Sequence, residues 1–484
     1  MLSPEPMSAN PPPNPAELRQ VMFGLGLAML LSALDQTIVV TAMPTIAADL
    51  GDPQDLPWIV TAYLIAATVV TPLYGKFADV YGRRRVILIG VITFVIGSVA
   101  CALAPSMAAL AGARVIQGLG GGGLISLAQT IVADLVSPRE RGRYQSYFAA
   151  VFITSSIAGP ALGGIFAQYW HWSLIFWINL PLGLAALLIV NSRLKRVPER
   201  RHPHRVDYLG AMLLIAGSGL LVLALGWGGV RYPWRSAPII GLLTASALAW
   251  GLFAWRTARA EEPLIPLRIL RLRIVRDAIL SSSFGLGGFV GLSVVMPIYY
   301  EICGGMNASE SGLTLIPLMV GTVVGATLSG RLMGHLTHYK TAPLLGLGAG
   351  ALAALGAAAM MGSGRSLLWL NALLTVTTFG IGAMLPVATV SVQNAVDSRD
   401  LGTATASMQF FRQLAAGAAV ALFAALAIGG GRAQLLEEMK TDVDGAALFS
   451  SFRLVFLALA VCVGLSLLFL ARMEERPLRG ERRS

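Results

Sequence analysis

Charged residues are scarce in this chain. Asp, Glu, Lys and Arg make up 13% of its 484 residues, whereas hydrophobic residues make up 55%. A soluble protein would carry about 25% charged residues. The stretches between apolar runs reach only about twenty residues, which is too short to bury a core of their own. The composition excludes a soluble globular protein and indicates an integral membrane protein without a separate soluble domain.

Cysteine is also rare. The three cysteines lie far apart in sequence, so they predict neither a disulfide framework nor a metal site.

No GxxxxGK[ST] motif is present, which argues against ATP as the energy source. The net charge of +11 comes from basic residues in the loops between apolar runs, which argues against nucleic acid as a partner. We predict no cofactor, no metal site and no catalytic residue, and therefore a protein that is not an enzyme.

Long apolar runs dominate the sequence instead. Fourteen of them are long enough to cross a bilayer, which needs about 20 helical residues. They lie near residues 21–46, 57–74, 86–104, 107–134, 144–168, 172–191, 208–229, 237–255, 278–300, 311–333, 342–362, 366–394, 403–427 and 448–471. The predicted fold class is therefore all-α and integral to the membrane.

Lysine and arginine are concentrated in alternate loops. One side of the membrane, counted with both tails, holds most of the 36 basic residues. Cytoplasmic loops carry an excess of these residues, and an even number of spans places both termini on one side. Both termini are therefore predicted to be cytoplasmic.

An internal repeat relates the two ends of the chain. The segment GKFAD at 75–79 corresponds to GRLMG at 330–334, and SPRERG at 137–142 corresponds to DSRDLG at 397–402. Two six-helix halves with a site between them are typical of secondary transporters. The predicted domains are a disordered cytoplasmic tail (1–20), an amino-terminal six-helix bundle (21–193), a linker with two inserted helices (194–276), a carboxy-terminal six-helix bundle (277–472) and a basic cytoplasmic tail (473–484).

Asp35 is the one acid near the centre of a predicted span. It lies roughly 20 Å along the first helix at 1.5 Å per residue. A carboxylate at that depth costs on the order of 2.5–3.5 kcal/mol, so it persists only beside a partner, a watery cavity or a cargo. We predict that the carboxylate of Asp35 binds a proton and cargo alternately. The alternative is a structural carboxylate neutralised by a neighbour.

Four motifs stand out in the first five spans. LDQTIVVTAMP at 34–44 surrounds Asp35, and GKFADVYGRRR at 75–85 follows the second span. RVIQGLGGGG at 114–123 lies in the fourth span, and SSIAGPALGG at 155–164 lies in the fifth. In this order they resemble the first-span signature, the cytoplasmic loop motif, the fourth-span motif and the fifth-span antiporter motif of the drug/proton antiporters of the major facilitator superfamily. Val40 stands where that family often has Asn, Val80 stands in place of Arg, and Ser155 replaces the first Gly of the fifth-span motif.

The resemblance implies a major facilitator fold of two six-helix bundles plus two inserted helices. It assigns proton coupling to Asp35 and Arg114 and cargo binding to Asp35 and Gln117. The alternative for Arg114 is a side chain that snorkels to the outer surface. The residues implied for the cytoplasmic gate are Gly75, Asp79, Gly82, Arg83 and Arg84. Those implied for the antiporter motif are Gly159, Pro160, Gly163 and Gly164, a small-residue face that should let the two halves close tightly.

Two further residues are accessory candidates. Glu301, at the outer end of span nine, is either a second proton site or a solvated residue at the mouth. Arg412, in span thirteen, is a packing or gating element.

The expected function is a proton-coupled multidrug exporter for lipophilic, cationic compounds. It would act as a monomer in a bacterial inner membrane. The alternatives are a dedicated exporter of one metabolite, siderophore or antibiotic, and a non-transporting membrane sensor or assembly factor.

Overall fold

The computed structural model describes residues 15–51, 56–195, 207–229, 231–336, 338–361, 367–428 and 445–478. Within these ranges fourteen helices are long and apolar enough to cross a membrane. They are α1 (Ala16–Leu50), α2 (Trp58–Tyr81), α3 (Arg83–Ala102), α4 (Met107–Leu135), α5 (Pro138–Tyr169), α6 (Leu174–Leu194), α7 (Tyr208–Trp227), α8 (Ala237–Arg259), α9 (Arg273–Gly304), α10 (Glu310–Met333), α11 (Thr341–Met360), α12 (Leu367–Ala395), α13 (Ser398–Ala427) and α14 (Phe449–Arg472). The predicted all-α membrane class and the fourteen spans are confirmed.

Some spans are built from two helical pieces. α4 consists of Met107–Gly121 and Leu124–Leu135, which meet at the run of glycines. Thr71 of α2 supports this break by donating a hydrogen bond to the carbonyl oxygen of Gly122 at 2.8 Å. α6 is divided into Leu174–Trp177 and Asn179–Leu194. A short helix, Ala308–Thr314, runs into α10 and is followed by Ile316–Met333. α13 begins with the 3-10 turn Ser398–Asp400 and continues as the α-helix Leu401–Ile428.

The tails predicted from sequence differ in part from the structure. Residues 15–20, assigned to the amino-terminal tail, are helical, and residues 1–14 lie outside the described ranges. At the other end, the hydroxyl of Tyr339 donates to the carbonyl oxygen of Arg476 at 3.0 Å, and Leu478 is buried. The first residues of the carboxy-terminal tail therefore pack on the bundle. Residues 479–484, and 196–206 of the predicted linker, lie outside the described part of the chain.

The same helix pairing occurs twice, eight spans apart. α1 packs on α5 and α6, α3 on α4 and α6, and α2 on α4. Correspondingly, α9 packs on α13 and α14, α11 on α12 and α14, and α10 on α12. This repetition is the three-dimensional counterpart of the repeated sequence segments.

The two bundles meet along two seams, α2 against α13 and α5 against α10. Each seam is a close approach between glycines of the repeated segments. A methyl group at Gly75 would lie 2.6 Å from the carbonyl oxygen of Gly402, and one at Gly142 would lie 2.5 Å from that of Gly330. Neither seam can admit a larger residue at these positions without separating the helices.

The inserted helices α7 and α8 pair with each other beside the first seam. Ser246 donates to the carbonyl oxygen of Gly217 at 2.7 Å, and Arg256 pairs with Asp207 at 3.1 Å. α7 also packs on α2 and α13. The inserted pair therefore contacts both bundles.

Candidate functional site

Asp35 lies in the interior of the amino-terminal bundle with no exposed surface. Its Oδ2 accepts a hydrogen bond from Nη1 of Arg114 at 2.5 Å, and its Oδ1 accepts one from Nε2 of Gln117 at 2.8 Å. Arg114 and Gln117 are three residues apart on α4 and so share the face that meets α1. The structure brings together the three residues assigned to proton coupling and cargo binding.

Two polar residues that sequence reasoning did not select complete this network. Gln117 also donates to Oγ of Ser98 on α3 at 2.6 Å. Asn179, at the start of the main helix of α6, donates to the same oxygen at 2.9 Å, while its own Oδ1 has no hydrogen-bond partner among the described residues. The signal that would have found both residues is a polar side chain inside an apolar run.

Arg114 is held from three directions. Besides Asp35, its Nε donates to the carbonyl oxygen of Ile59 at 2.9 Å, and its guanidinium lies 4.4 Å from the ring centre of Tyr63. The hydroxyl of Tyr63 is 3.0 Å from Oγ of Ser32 on α1. Arg114 is 1% exposed, so it does not snorkel to the membrane surface.

Burial decides what Asp35 can touch in this conformation. Asp35 and Gln117 are both 0% exposed, and the carboxylate is neutralised by Arg114. Helices α1, α3, α4 and α6 enclose both side chains in this conformation. The pairing with Arg114 is what a buried carboxylate needs, and the binding of cargo by Asp35 and Gln117 stays a prediction.

A second polar cluster joins the two bundles at the end of the molecule that carries both chain termini. Oδ1 of Asp79 accepts a hydrogen bond from the backbone N–H of Gly402 at 3.1 Å. Oδ2 accepts two from Thr403, from the N–H and from the hydroxyl, both at 2.8 Å. These donors lie in the first turn of the α-helical part of α13, which begins at Leu401, where the helix dipole favours a negative charge.

Arg83 extends this cluster. Its guanidinium pairs with Asp79 at 3.1 Å and also with Asp134 at the end of α4, and it donates to the carbonyl oxygen of Ser398 at 3.3 Å. Gly82, just before it, has a φ of 93°, which glycine adopts at little cost. Four of the five assigned gate residues therefore contribute to this seam. They are Gly75, Asp79, Gly82 and Arg83.

The fifth, Arg84, does not reach the seam. It donates to Oδ1 of Asn191 on α6 at 2.6 Å and so ties two helices of the same bundle. The second seam lacks the acid, because Gly334 stands at the repeat position of Asp79. Among the described residues, the contact of an acid in one repeated segment with the helix start of another is therefore seen at the first seam.

The antiporter motif packs inside one bundle. A methyl group at Gly159 would lie 2.0 Å from Oγ1 of Thr37, and one at Gly163 would lie 2.2 Å from Oγ1 of Thr41. Pro160 is exposed, and a methyl group at Gly164 would meet no atom within 4 Å. The expectation that this face seals the two halves does not describe this conformation. The two small residues instead set the distance between α5 and α1, the helix of Asp35.

Glu301 and Arg412 lie apart from this network, in the carboxy-terminal bundle. Glu301 is exposed and accepts a hydrogen bond from Ser311 at 3.3 Å. Arg412 is 4% exposed. Its Nη2 donates to Oγ1 of Thr389 at 3.2 Å, and its Nε has no hydrogen-bond partner among the described residues. No carboxylate within the described ranges pairs with the buried Arg412 guanidinium.

The chain matches known membrane transport proteins over most of its length. The family model described as Major Facilitator Superfamily matches residues 25–420. The uncharacterized MFS-type transporter Rv1877 of Mycobacterium tuberculosis (strain H37Rv) is 37% identical over 411 residues, which are 84% of this chain and 59% of the relative. This chain therefore spans less than two thirds of the mycobacterial relative.

Two further similarities support the same family and fold. Multidrug resistance protein 3 of Bacillus subtilis is 35% identical over 411 residues, 84% of this chain and 79% of that protein. The solved structure of the proton:xylose symporter XylE is similar with a TM-score of 0.65 at 16% identity, covering 95% of this chain and 96% of that one. At this identity the structural likeness concerns the fold.

Proposed function

Because this chain belongs to the major facilitator superfamily, a family of transporters and not of enzymes, we propose that it is a proton-coupled multidrug exporter. The proposed cargo is a lipophilic compound with one positive charge, which would balance the one proton that Asp35 can exchange. The proposed setting is a bacterial inner membrane, with both termini in the cytoplasm and the monomer as the working unit. The resemblance to drug exporters supports the class of cargo, and the asymmetry of basic residues supports the orientation of the termini.

The observation that carries the proposal is the buried contact of Asp35 with Arg114 and Gln117. Protonation of Asp35 would remove the charge that Arg114 neutralises. The new O–H would then need an acceptor, and Oδ1 of Asn179 is a group in the same network without a partner among the described residues. The proton would thus change how α1 packs against α4 and α6. In this mechanism Asp35 acts through helix packing, and direct competition with cargo for one oxygen is not required.

A line of contacts leads from this network to the seam between the bundles. α4 carries Arg114 and Gln117 in its first helix and continues, past the glycine break, into the helix Leu124–Leu135. That second helix contacts α13, and its Gln129 carbonyl oxygen accepts from Gln393 of α12 at 3.4 Å. Near the end of the same helix, Asp134 pairs with Arg83, which also pairs with Asp79. A shift of α4 would therefore act on the clamp at α13.

The clamp joins the two bundles at the end that carries both termini. We propose that those termini are cytoplasmic and that this conformation is shut toward the cytoplasm, so that it would release cargo outward. Alternating access then requires the Asp79 contacts to break when the transporter turns inward. We propose that proton transfer at Asp35 biases this equilibrium through α4.

The decisive experiment compares Asp35→Asn with the wild type in liposomes that carry a pH gradient. Asn has the same shape but cannot exchange a proton. We expect the variant to lose transport driven by the pH gradient while it still exchanges cargo at equal pH on both sides. Asp49→Asn, the same change on the exposed end of the same helix, is the matched control and should transport normally. Unchanged gradient-driven export by Asp35→Asn would overturn the proposal.

A further inference from the structure

A groove of about 440 Å³ lies between α1 and α6, at the end of the molecule that carries both chain termini. It is lined by Arg19, Gln20 and Phe23 of α1 and by Leu188, Ser192 and Arg193 of α6. None of these residues belongs to the Asp35 network or to the seams between the bundles. The proposed transport mechanism therefore leaves this groove without a role.

The lining changes from polar to apolar along the helix axes. Arg19 lies one turn before Phe23, and Arg193 lies just over one turn after Leu188, where a turn rises 5.4 Å. Because α1 and α6 run in opposite directions, both arginines lie at the end of the groove that is nearer the chain termini and farther from the middle of the membrane. Phe23 and Leu188 lie nearer the middle of the membrane, and their side chains are 63% and 62% exposed. The groove thus has one cationic end and one apolar end.

The floor of the groove is closed. A methyl group at Gly24 would lie 2.7 Å from Cγ2 of Ile189, so α1 and α6 touch beneath the groove. The groove is therefore a furrow on the lipid-facing surface and does not lead to the buried Asp35. A ligand that lies in it would come from the membrane and not from the transport pathway.

The guanidinium groups of Arg19 and Arg193 have no counter-charge among the described residues. Within the described part of the chain, neither Arg19 nor Arg193 forms an ion pair with a carboxylate. Guanidinium groups bind phosphate oxygens in a bidentate geometry. Basic pockets between spans on the cytoplasmic side also suit anionic head groups.

We propose that this groove is a binding site for an anionic phospholipid. The lipid phosphate would lie between Arg19 and Arg193, and one acyl chain would follow Phe23 and Leu188 toward the middle of the bilayer. The ligand is a lipid and not a free phosphate, because the apolar end would remain uncovered by an inorganic ion. The site holds α1, the helix of Asp35, against α6, which carries Asn179.

Native mass spectrometry of the purified full chain tests this assignment, with phosphatidylglycerol and phosphatidylcholine as probes. The test variant is Arg19→Gln with Arg193→Gln. The matched control is Arg85→Gln with Arg143→Gln, which removes two exposed arginines from the same end of the molecule. Each basic residue contributes about 1 kcal/mol to such binding, so the test variant should bind phosphatidylglycerol about thirtyfold more weakly. The control should bind it like the wild type.

Three results would overturn the proposal. The first is equal affinity of the wild type for the two lipids. The second is an equal loss in the test and control variants, which would mean nonspecific attraction to the basic surface. The third is displacement of phosphatidylglycerol by an excess of inorganic phosphate, which would identify the ligand as a free anion. Arg19→Lys with Arg193→Lys keeps both charges and should retain most of the binding, which separates loss of charge from loss of fold.

Discussion

Asp79 at the end of α2 accepts two hydrogen bonds from Thr403 at the start of α13, one from the backbone N–H and one from the hydroxyl, both at 2.8 Å. These bonds cross the seam between the two bundles. At the corresponding seam Gly334 stands in place of the acid. One carboxylate at a helix N-terminus therefore distinguishes two seams that otherwise share the same close packing of glycines.

Asp79→Asn should weaken this clamp and increase the population of the state that is open at this end. Loss of a charged cap costs about 1 kcal/mol, which corresponds to roughly a fivefold change in the equilibrium. Spin labels at Tyr81 and Arg399 would report longer distances by double electron–electron resonance. Asp397→Asn, an exposed acid at the same end, is the control and should leave the distances unchanged. A distance distribution in Asp79→Asn identical to the wild type would contradict the assignment of Asp79 to the gate.

Removal of one partner of the buried pair should be costly, and removal of both should be less so. Arg114→Gln leaves Asp35 without its counter-charge, and breaking such a pair costs about 3–5 kcal/mol. The double variant Asp35→Asn with Arg114→Gln should recover much of the lost thermal stability, because no buried charge remains. It should still lack transport driven by a pH gradient. Thermal unfolding in detergent measures the first effect and liposome flux the second. Additive destabilisation in the double variant would mean that the two side chains do not act as a pair.

Gly159→Ala should separate α1 from α5. The new methyl group would lie 2.0 Å from Oγ1 of Thr37, and overpacking of this kind costs about 1–3 kcal/mol. The variant should unfold at a lower temperature and transport poorly. A second change, Thr37→Ala, removes the clashing atom and should restore part of the stability. Gly164→Ala is the control in the same motif. It should leave the unfolding temperature and transport unchanged, since no atom lies within 4 Å of the added methyl group.

Arg412→Met should leave thermal stability unchanged or raise it, in contrast to Arg114→Met. Arg412 is buried with no carboxylate partner among the described residues, and replacement of a buried charge by an apolar side chain of similar size is often neutral or stabilising. If the charge serves transport, the flux falls while the melting temperature does not. A melting temperature lowered as far as that of Arg114→Met would show that Arg412 has a counter-charge after all.

Much of the fold could be predicted from local pattern, and the candidate site only in part. The resemblance of their motifs to those of the drug/proton antiporters assigns Asp35, Arg114 and Gln117 to one site, and the structure places them in contact. Ser98 and Asn179 were not predicted, because a single small polar residue in a span is compatible with many environments. The face of Gly159 and Gly163 was assigned to the wrong neighbour, since a stripe of small residues indicates close packing but does not say against which helix.

The sequence by itself determined the fourteen spans, the repeat of six helices and the need of Asp35 for a partner. The spans and the need of Asp35 for a partner follow from the length and polarity of single segments in contact with lipid. The repeat follows from the likeness between segments in the two halves of the chain. Only the tertiary structure decided that Asp35 is enclosed within one bundle and that Asp79 holds α13 across the seam. Asp35 and Arg114 are 79 positions apart in the chain, and Asp79 and Thr403 are 324 positions apart. Which of these distant helices meet depends on the packing of the whole bundle.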